Sequence, residues 1–240
     1  MHSSHYTRVA STINLADQVI PGTSQRISNS LVSPAQLPLA VRSISLMSYG
    51  SGSTVFLLDT PGGPKVLKIF RRSLGKKDLS LFNVAGEFQA KYRTVSHWFN
   101  NADFQLVPPA LFLILHGPLL GKPAAATLQP FITGEKKDLF LDFQDDELLR
   151  LFQSDPQLRQ QFVFFAGKVL EMAAAGLCMD FIGRNNVLLI RVRADCCLAV
   201  IDNGIFNLEK LRTTRPAVYA QIEAYLERLR QLMLALNLID

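Results

Sequence analysis

Two carboxylates and a pair of carboxamides stand close together in the chain: Asp180, then Asn185-Asn186, then Asp202 in Asp202-Asn203-Gly204. Between them run two short apolar segments, Val187-Leu188-Leu189-Ile190 and Leu198-Ala199-Val200-Ile201. Each is too short for a helix and is bounded by polar or turn residues, so each is expected to be a buried strand. Arg191-Val192-Arg193-Ala194-Asp195 is the expected hairpin connection. Pairing the two strands brings the carboxylate at the end of the second near the loop before the first. A carboxylate and an amide oxygen are hard ligands suited to Mg²⁺, which keeps several waters and takes further ligands from substrate phosphates. The other carboxylate, off the metal, can orient a hydroxyl and accept its proton.

The elements that must position such groups lie upstream. Strands are expected over Val41 to Met47 and Thr54 to Leu58, flanking Tyr49-Gly50-Ser51-Gly52-Ser53. Glycines at a strand-to-strand turn let backbone amides approach phosphate oxygens, although an ordinary β-turn looks the same. No G-K-[ST] follows, which excludes a Walker A loop, and a strand rather than a helix follows, which excludes a dinucleotide fingerprint. After the turn Pro61-Gly62-Gly63-Pro64, the strand Lys65 to Phe70 alternates, so Val66, Lys68 and Phe70 share one face. A lysine among apolar neighbours needs a partner, unless it snorkels from an edge strand. Glu87 lies nineteen residues after Lys68 and is the only glutamate before position 135. It opens a helical pattern of Phe88, Tyr92, Val95 and Phe99; the alternative is a solvated helix charge. Two more apolar strands, Leu111 to Leu115 and Ala124 to Phe131, are joined through His116-Gly117-Pro118 and lead into Gln129-Pro130-Phe131-Ile132-Thr133-Gly134.

Downstream, Ser154-Asp155-Pro156 marks a helix start, and Leu158, Phe162, Phe165, Ala166, Val169, Leu170 and Ala173 make the helix to Ala175 a buried one. Gly176 is its expected left-handed cap. The tail from Pro216 to Leu238 is an amphipathic helix expected to pack on its own lobe.

Taken in order, these parts resemble the protein-kinase-like superfamily. D-x-x-x-x-N followed by two apolar residues, a hairpin and apolar-apolar-D-x-G is similar to that family's catalytic loop and metal-binding D-F-G segment. The resemblance implies an α+β, bilobal fold, with a small antiparallel sheet plus one helix and a reduced, mainly helical second lobe. It implies an N-terminal extension over 1–40, one lobe over 41–128 and the other over 129–240. It implies ATP and Mg²⁺ as cofactors, with catalysis assigned to Asp180, Lys68 and Glu87. Nucleotide binding falls to Gly50, Gly52, Ser53, Lys68, the Gln129 carbonyl and the Phe131 amide. Metal binding falls to Asp202 with Asn185 or Asn186; spacing picks Asn185, adjacency to the strand picks Asn186, and the latter is preferred because strand geometry fixes its direction.

The sequence departs from the family pattern at several points. Cys178-Met179 replaces His-Arg, the loop between Asp180 and the strand is one residue longer than the pattern, Asn203 replaces Phe, and a third glycine is missing from the glycine loop. No A-P-E follows Gly204, and 36 residues remain after it. The expectation is therefore a minimal, atypical kinase, a monomer acting on Ser/Thr of a protein. Small kinases of sugars, antibiotics or lipopolysaccharide are the alternative acceptor class, and a pseudokinase binding module is the alternative outside enzymes.

Composition bounds the rest. The chain has 240 residues, 48% of them hydrophobic, enough for one core or two small lobes. A net charge of +5 suits an anionic ligand, and the basic residues are scattered without interleaved aromatics, so a nucleic-acid partner is not expected. Cys178, Cys196 and Cys197 have neither disulfide-framework nor zinc spacing and are read as free thiols of a reducing cytoplasm. No run reaches the roughly 18 apolar residues of a membrane span, and no secretory leader is visible. Residues 1 to about 40, rich in Ser, Thr, Asn, Gln and Pro, are expected to be mostly disordered. They resemble the export signals of bacterial type III effectors, which would take the chain to a host protein; they equally resemble a frayed terminus, the preferred reading.

Overall fold

The computed structural model describes residues 12–13, 39–49, 52–74, 76, 78–115, 124–193, 195–202 and 204–236. Gly50, Ser51, His116, Asn203 and most of the extension expected over 1–40 lie outside the described residues. The fold class is α+β: an antiparallel sheet plus helices. By internal contacts the chain divides into two compact units, Met1–Gln89 with Pro109–Ile132, and Ala90–Pro108 with Thr133–Asp240. The expectation put the break after Leu128 and all of 41–128 in one lobe. Ala90–Pro108 instead joins the second unit, because Val95, Phe99, Leu106 and Val107 are buried in that unit's core.

In the first unit, β1 (Thr12–Ile13) pairs antiparallel with β2 (Leu39–Ala40). The main sheet consists of β3 (Ser43–Tyr49), β4 (Ser53–Asp59), β5 (Lys65–Phe70), β6 (Leu111–Leu115) and β7 (Ala124–Pro130), in the spatial order β3-β4-β5-β7-β6. Every pairing is antiparallel. Helix α1 (Asp78–Phe99) is inserted between β5 and β6 and starts nine residues before Glu87. The alternation of β5 sorts its residues onto two faces. Leu67 and Ile69 join Val41, Leu58, Ala124, Ala126 and Leu128 in one cluster, while Phe70 joins Leu81, Val84, Ile114 and Ala125 in another. Phe88 stacks on Phe70 at 3.6 Å between ring centroids, which docks this part of α1 on the face shared by Lys68. A 3₁₀ turn, Arg71–Ser73, closes β5; the buried Ser73 hydroxyl donates to Phe70 O and accepts from Ala125 N.

The second unit holds the C-terminal half of α1, β8 (Glu135–Asp138), α2 (Asp145–Ser154), α3 (Pro156–Ala174), β9 (Leu177–Met179), β10 (Val187–Val192), β11 (Asp195–Val200), β12 (Ile205–Asn207), α4 (Leu208–Thr214) and α5 (Pro216–Ala235). The sequence signals for α3 hold at both ends. Asp155 caps it by accepting from Leu158 N at 2.9 Å, Pro156 opens it, and Gly176 follows it at φ 75°. Phe162, Phe165, Ala166, Val169 and Met172 are buried against Ile222, Leu226 and Leu229 of α5. Gln161 is a buried polar residue on the same helix, and its Oε1 accepts from Leu198 N at 2.8 Å, tying β11 to α3. The strands form two small sheets, β11-β10-β8 and β12-β9. No helix among the described residues is long and apolar enough to cross a membrane.

Candidate active site

Asp180 is placed by strand pairing on either side of it. β9 ends with Met179 opposite Ile205, and the Asp180 N–H donates to Gly204 O at 2.9 Å. Its carboxylate turns into the loop that follows: Oδ1 accepts from Ile182 N at 2.9 Å and from Gly183 N at 3.3 Å. Its carbonyl accepts from Asn186 Nδ2 at 2.8 Å. The loop 180–186 is thus closed on itself by the main chain and side chain of one aspartate.

Asp202 enters the same knot through the hairpin. β10 and β11 pair up to Val187↔Val200, and the Ile201 N–H continues the ladder to Asn186 O at 2.8 Å. Asp202 follows directly, and two residues later Gly204 accepts from Asp180. Asp202 is therefore held between two backbone anchors, one to Asn186 and one to Asp180. Both glycines of the knot sit where a side chain would press on a neighbour. A Cβ on Gly204 would sit 2.7 Å from Asp180 Cβ, and one on Gly183 would sit 2.5 Å from Asn186 Nδ2.

The two asparagines behave differently. Asn185 is exposed, at φ 65°, and its backbone N–H points to Asp138 Oδ2 at 2.5 Å. Asn186 is buried, and its amide group is committed to Asp180 O, which leaves its Oδ1 as an acceptor. Among the described residues no three His, Cys, Asp or Glu side chains form a metal-binding group. The donor set of this knot is instead one amide oxygen and one carboxylate on neighbouring rows of a ladder. That set fits Mg²⁺, which completes its shell with water and phosphate.

Cys178, in the position before Met179 and Asp180, is fully buried. Burial, with the charges of Asp180 and Glu223 behind it, pushes its thiol up to about 12. It stays protonated at neutral pH and is neither nucleophile nor metal ligand. Phe181 is also buried, at 5.2 Å from Phe140 and 6.0 Å from Tyr225 of α5.

The first unit carries the remaining candidates. Lys68 lies mid-strand in β5, opposite Val55 of β4 and Thr127 of β7, and is half-buried. Glu87 is gripped by Arg72 in a two-bond fork, Nη1–Oε1 at 3.1 Å and Nη2–Oε2 at 2.8 Å. Arg72 is not among the residues the motif pattern singles out; its one sequence signal is its position just past the strand that carries Lys68. Gly52 accepts from Arg71 N at 3.1 Å, Ser53 opens β4 opposite Phe70, and Gly50 lies outside the described residues. Gln129 is buried within β7 opposite Val66. The Phe131 N–H, expected to face adenine, donates to Pro64 O at 3.1 Å and so is engaged within the unit.

Also unanticipated is Asp138, at the end of β8 and only 2% exposed. Its Oδ1 accepts from Phe140 N and Leu141 N, and its Oδ2 from Asn185 N. Arg184, next in the loop, pairs with Asp142 at 3.0 Å. Arg228 of α5 closes the far side of this segment, donating to Phe140 O, Phe143 O and Asp145 Oδ1.

No protein-family model matches the chain, and no curated protein does. Among solved structures it is similar to the kinase domain of Mycobacterium tuberculosis PknI, at 15% identity over 69% of this chain and 59% of that one, with a TM-score of 0.36. A double mutant of that domain matches at 15% identity over 69% of this chain and 60% of that one, with a TM-score of 0.39. The chain thus spans about six-tenths of the length of the kinase domains it matches. In topology, a five-stranded antiparallel sheet with one helix between its third and fourth strands in sequence, followed by a mainly helical unit, agrees with the kinase-like arrangement that the sequence implied.

Proposed function

We propose that the chain is a kinase-like phosphotransferase that uses Mg²⁺-ATP to phosphorylate a hydroxyl, with Ser/Thr of a protein as the acceptor. The observation that carries this is the knot in which Asp180, Asn186 and Asp202 are held by Asn186 Nδ2→Asp180 O, Ile201 N→Asn186 O and Asp180 N→Gly204 O. Bound Mg²⁺ would neutralise charge on the phosphates, and catalysis in this class is mostly positioning and electrostatics. Asp202 and the Asn186 amide oxygen are the residues to hold it. Asp180, its carboxylate oriented by the Ile182 and Gly183 amides, is assigned to orient the acceptor hydroxyl and take its proton. Lys68 is assigned to the α- and β-phosphates, with Glu87, steadied by Arg72, as its positioning partner.

A second reading of the acceptor has its own observation. Strand β12 starts directly after Gly204, and Asn207 at its end already caps α4 through Lys210 N at 2.8 Å. That stretch holds no long segment on which a peptide could lie, which favours a small-molecule hydroxyl such as that of a sugar. One experiment separates the readings: incubation of the purified chain with Mg²⁺ and γ-labelled ATP, alone and with cell extract. Label on proteins that disappears in Asp180→Ala supports a protein acceptor. Label only in small molecules supports the second reading, and nucleotide binding without any transfer removes the enzyme assignment.

A further inference from the structure

We infer that Asp138 is a positioning residue that fixes where the Asn186 amide oxygen sits; this rests on the proposed Mg²⁺-nucleotide role of the site. Burying this carboxylate has a cost. A carboxylate 2% exposed loses its hydration, and its partners among the described residues are three backbone N–H groups rather than a cation. Two of those partners, Phe140 and Leu141, form a local turn, which a neutral side chain with one acceptor oxygen could serve equally well. The third is what demands a second acceptor. Oδ2 reaches 47 positions along the chain to Asn185 N, at the one left-handed residue of the loop.

That contact sets the direction of the next side chain. With residue 185 held at φ 65°, residue 186 enters β10 with its amide turned back onto Asp180 O and packed over Gly183. The register of β8 against β10, Leu188↔Asp138, keeps the carboxylate beside the start of the strand that Asn186 precedes. Asp138 thus acts through Asn186 and touches neither metal nor substrate. Outer partners of this kind change metal affinity by about 10–100-fold when removed.

The test is Asp138→Asn. An amide has one acceptor oxygen, so it can serve Phe140 and Leu141 or Asn185, not both. Two readouts are taken on the full chain: the Mg²⁺ concentration needed for ATP-induced thermal stabilisation, and amide hydrogen exchange over 180–187 without nucleotide. The expected result is a tenfold or greater rise in the Mg²⁺ requirement, unchanged stabilisation by ATP without Mg²⁺, and faster exchange at Asn185 and Asn186. Asp155→Ala, which removes the α3 cap, supplies a comparable stability loss and should leave the Mg²⁺ requirement unchanged. A Mg²⁺ requirement within twofold of wild type in Asp138→Asn overturns the inference and leaves the function proposal standing. Fast exchange at Asn185 in the wild-type chain overturns it without any variant. A wild-type chain that shows no Mg²⁺-dependent response to ATP overturns both, and is told apart by needing no substitution.

Discussion

Replacing Gly204 by alanine should disable the site while leaving the fold in place. The added Cβ would lie 2.7 Å from Asp180 Cβ and 3.4 Å from Asp180 Oδ2. Ordinary carbon contacts are about 3.5–4.0 Å, so one side must yield by roughly 1 Å. Neither side is a flexible tip: Gly204 O and Asp180 N are bonded to each other at 2.9 Å, and Asp180 Oδ1 is tied to Ile182 and Gly183. Overpacking of this kind costs about 1–3 kcal/mol, or roughly 2–12 °C in Tm for a chain of this size. A misplacement of about 1 Å at a reacting group costs on the order of a hundredfold in rate. The assay is turnover of γ-labelled ATP under Mg²⁺ beside a thermal melt, with Gly167→Ala as the control. A Cβ on Gly167 meets nothing within 4 Å in the interior of α3, so that variant should gain about 0.5–1 kcal/mol and keep its rate. A Gly204→Ala chain with a rate within threefold of wild type and an unshifted Tm would refute the steric reasoning.

Further outcomes follow from individual contacts. Asp155→Ala should lower stability by about 1 kcal/mol through loss of the Leu158 N–H bond, read by urea unfolding, without altering nucleotide binding. Arg72→Ala removes an exposed ion pair, so stability should change by less than about 1 kcal/mol while the rate falls because Glu87 loses its two-bond grip. For Cys178 the folded chain keeps a thiol proton that the unfolded chain loses from near 9.0, since burial holds the folded value up to about 12. Its contribution is therefore fully present below pH 9 and is lost progressively as pH rises from 9.0 toward about 12. Cys178→Ala should flatten that part of a stability-against-pH curve, and a curve unchanged by the substitution would contradict the burial argument.

Much of this architecture is legible in the sequence where pattern and punctuation agree. The runs at 187–190 and 198–201 are apolar, short and bounded by turns, and they pair as β10 and β11. Asp155, Pro156 and Gly176 mark both ends of α3 because cap chemistry is local. What stays hidden depends on partners far along the chain. Glu135–Asp138 carries four charged residues with no apolar alternation, and it is a strand only because β10 offers an edge to pair with. Asp138 looks like one more surface charge until Asn185 is seen to need its oxygen. The contrast between Asn185, exposed at φ 65°, and the buried Asn186 turns on a backbone angle, which residue spacing does not encode. The early start of α1 was obscured by Ser80, Asn83 and Gly86 among the apolar positions that dock it.

In the proposed function Asp202 and Asn186 act together on Mg²⁺-bound nucleotide. Calorimetric titration of ATP into the wild-type chain, Asp202→Ala and Asn186→Ala, each with and without Mg²⁺, measures that directly. Tighter binding with Mg²⁺ in the wild type, reduced at least tenfold in both variants but unchanged in its Mg²⁺-free part, is the predicted result. Equal Mg²⁺-dependent affinity in all three chains, or none in the wild type, would contradict it.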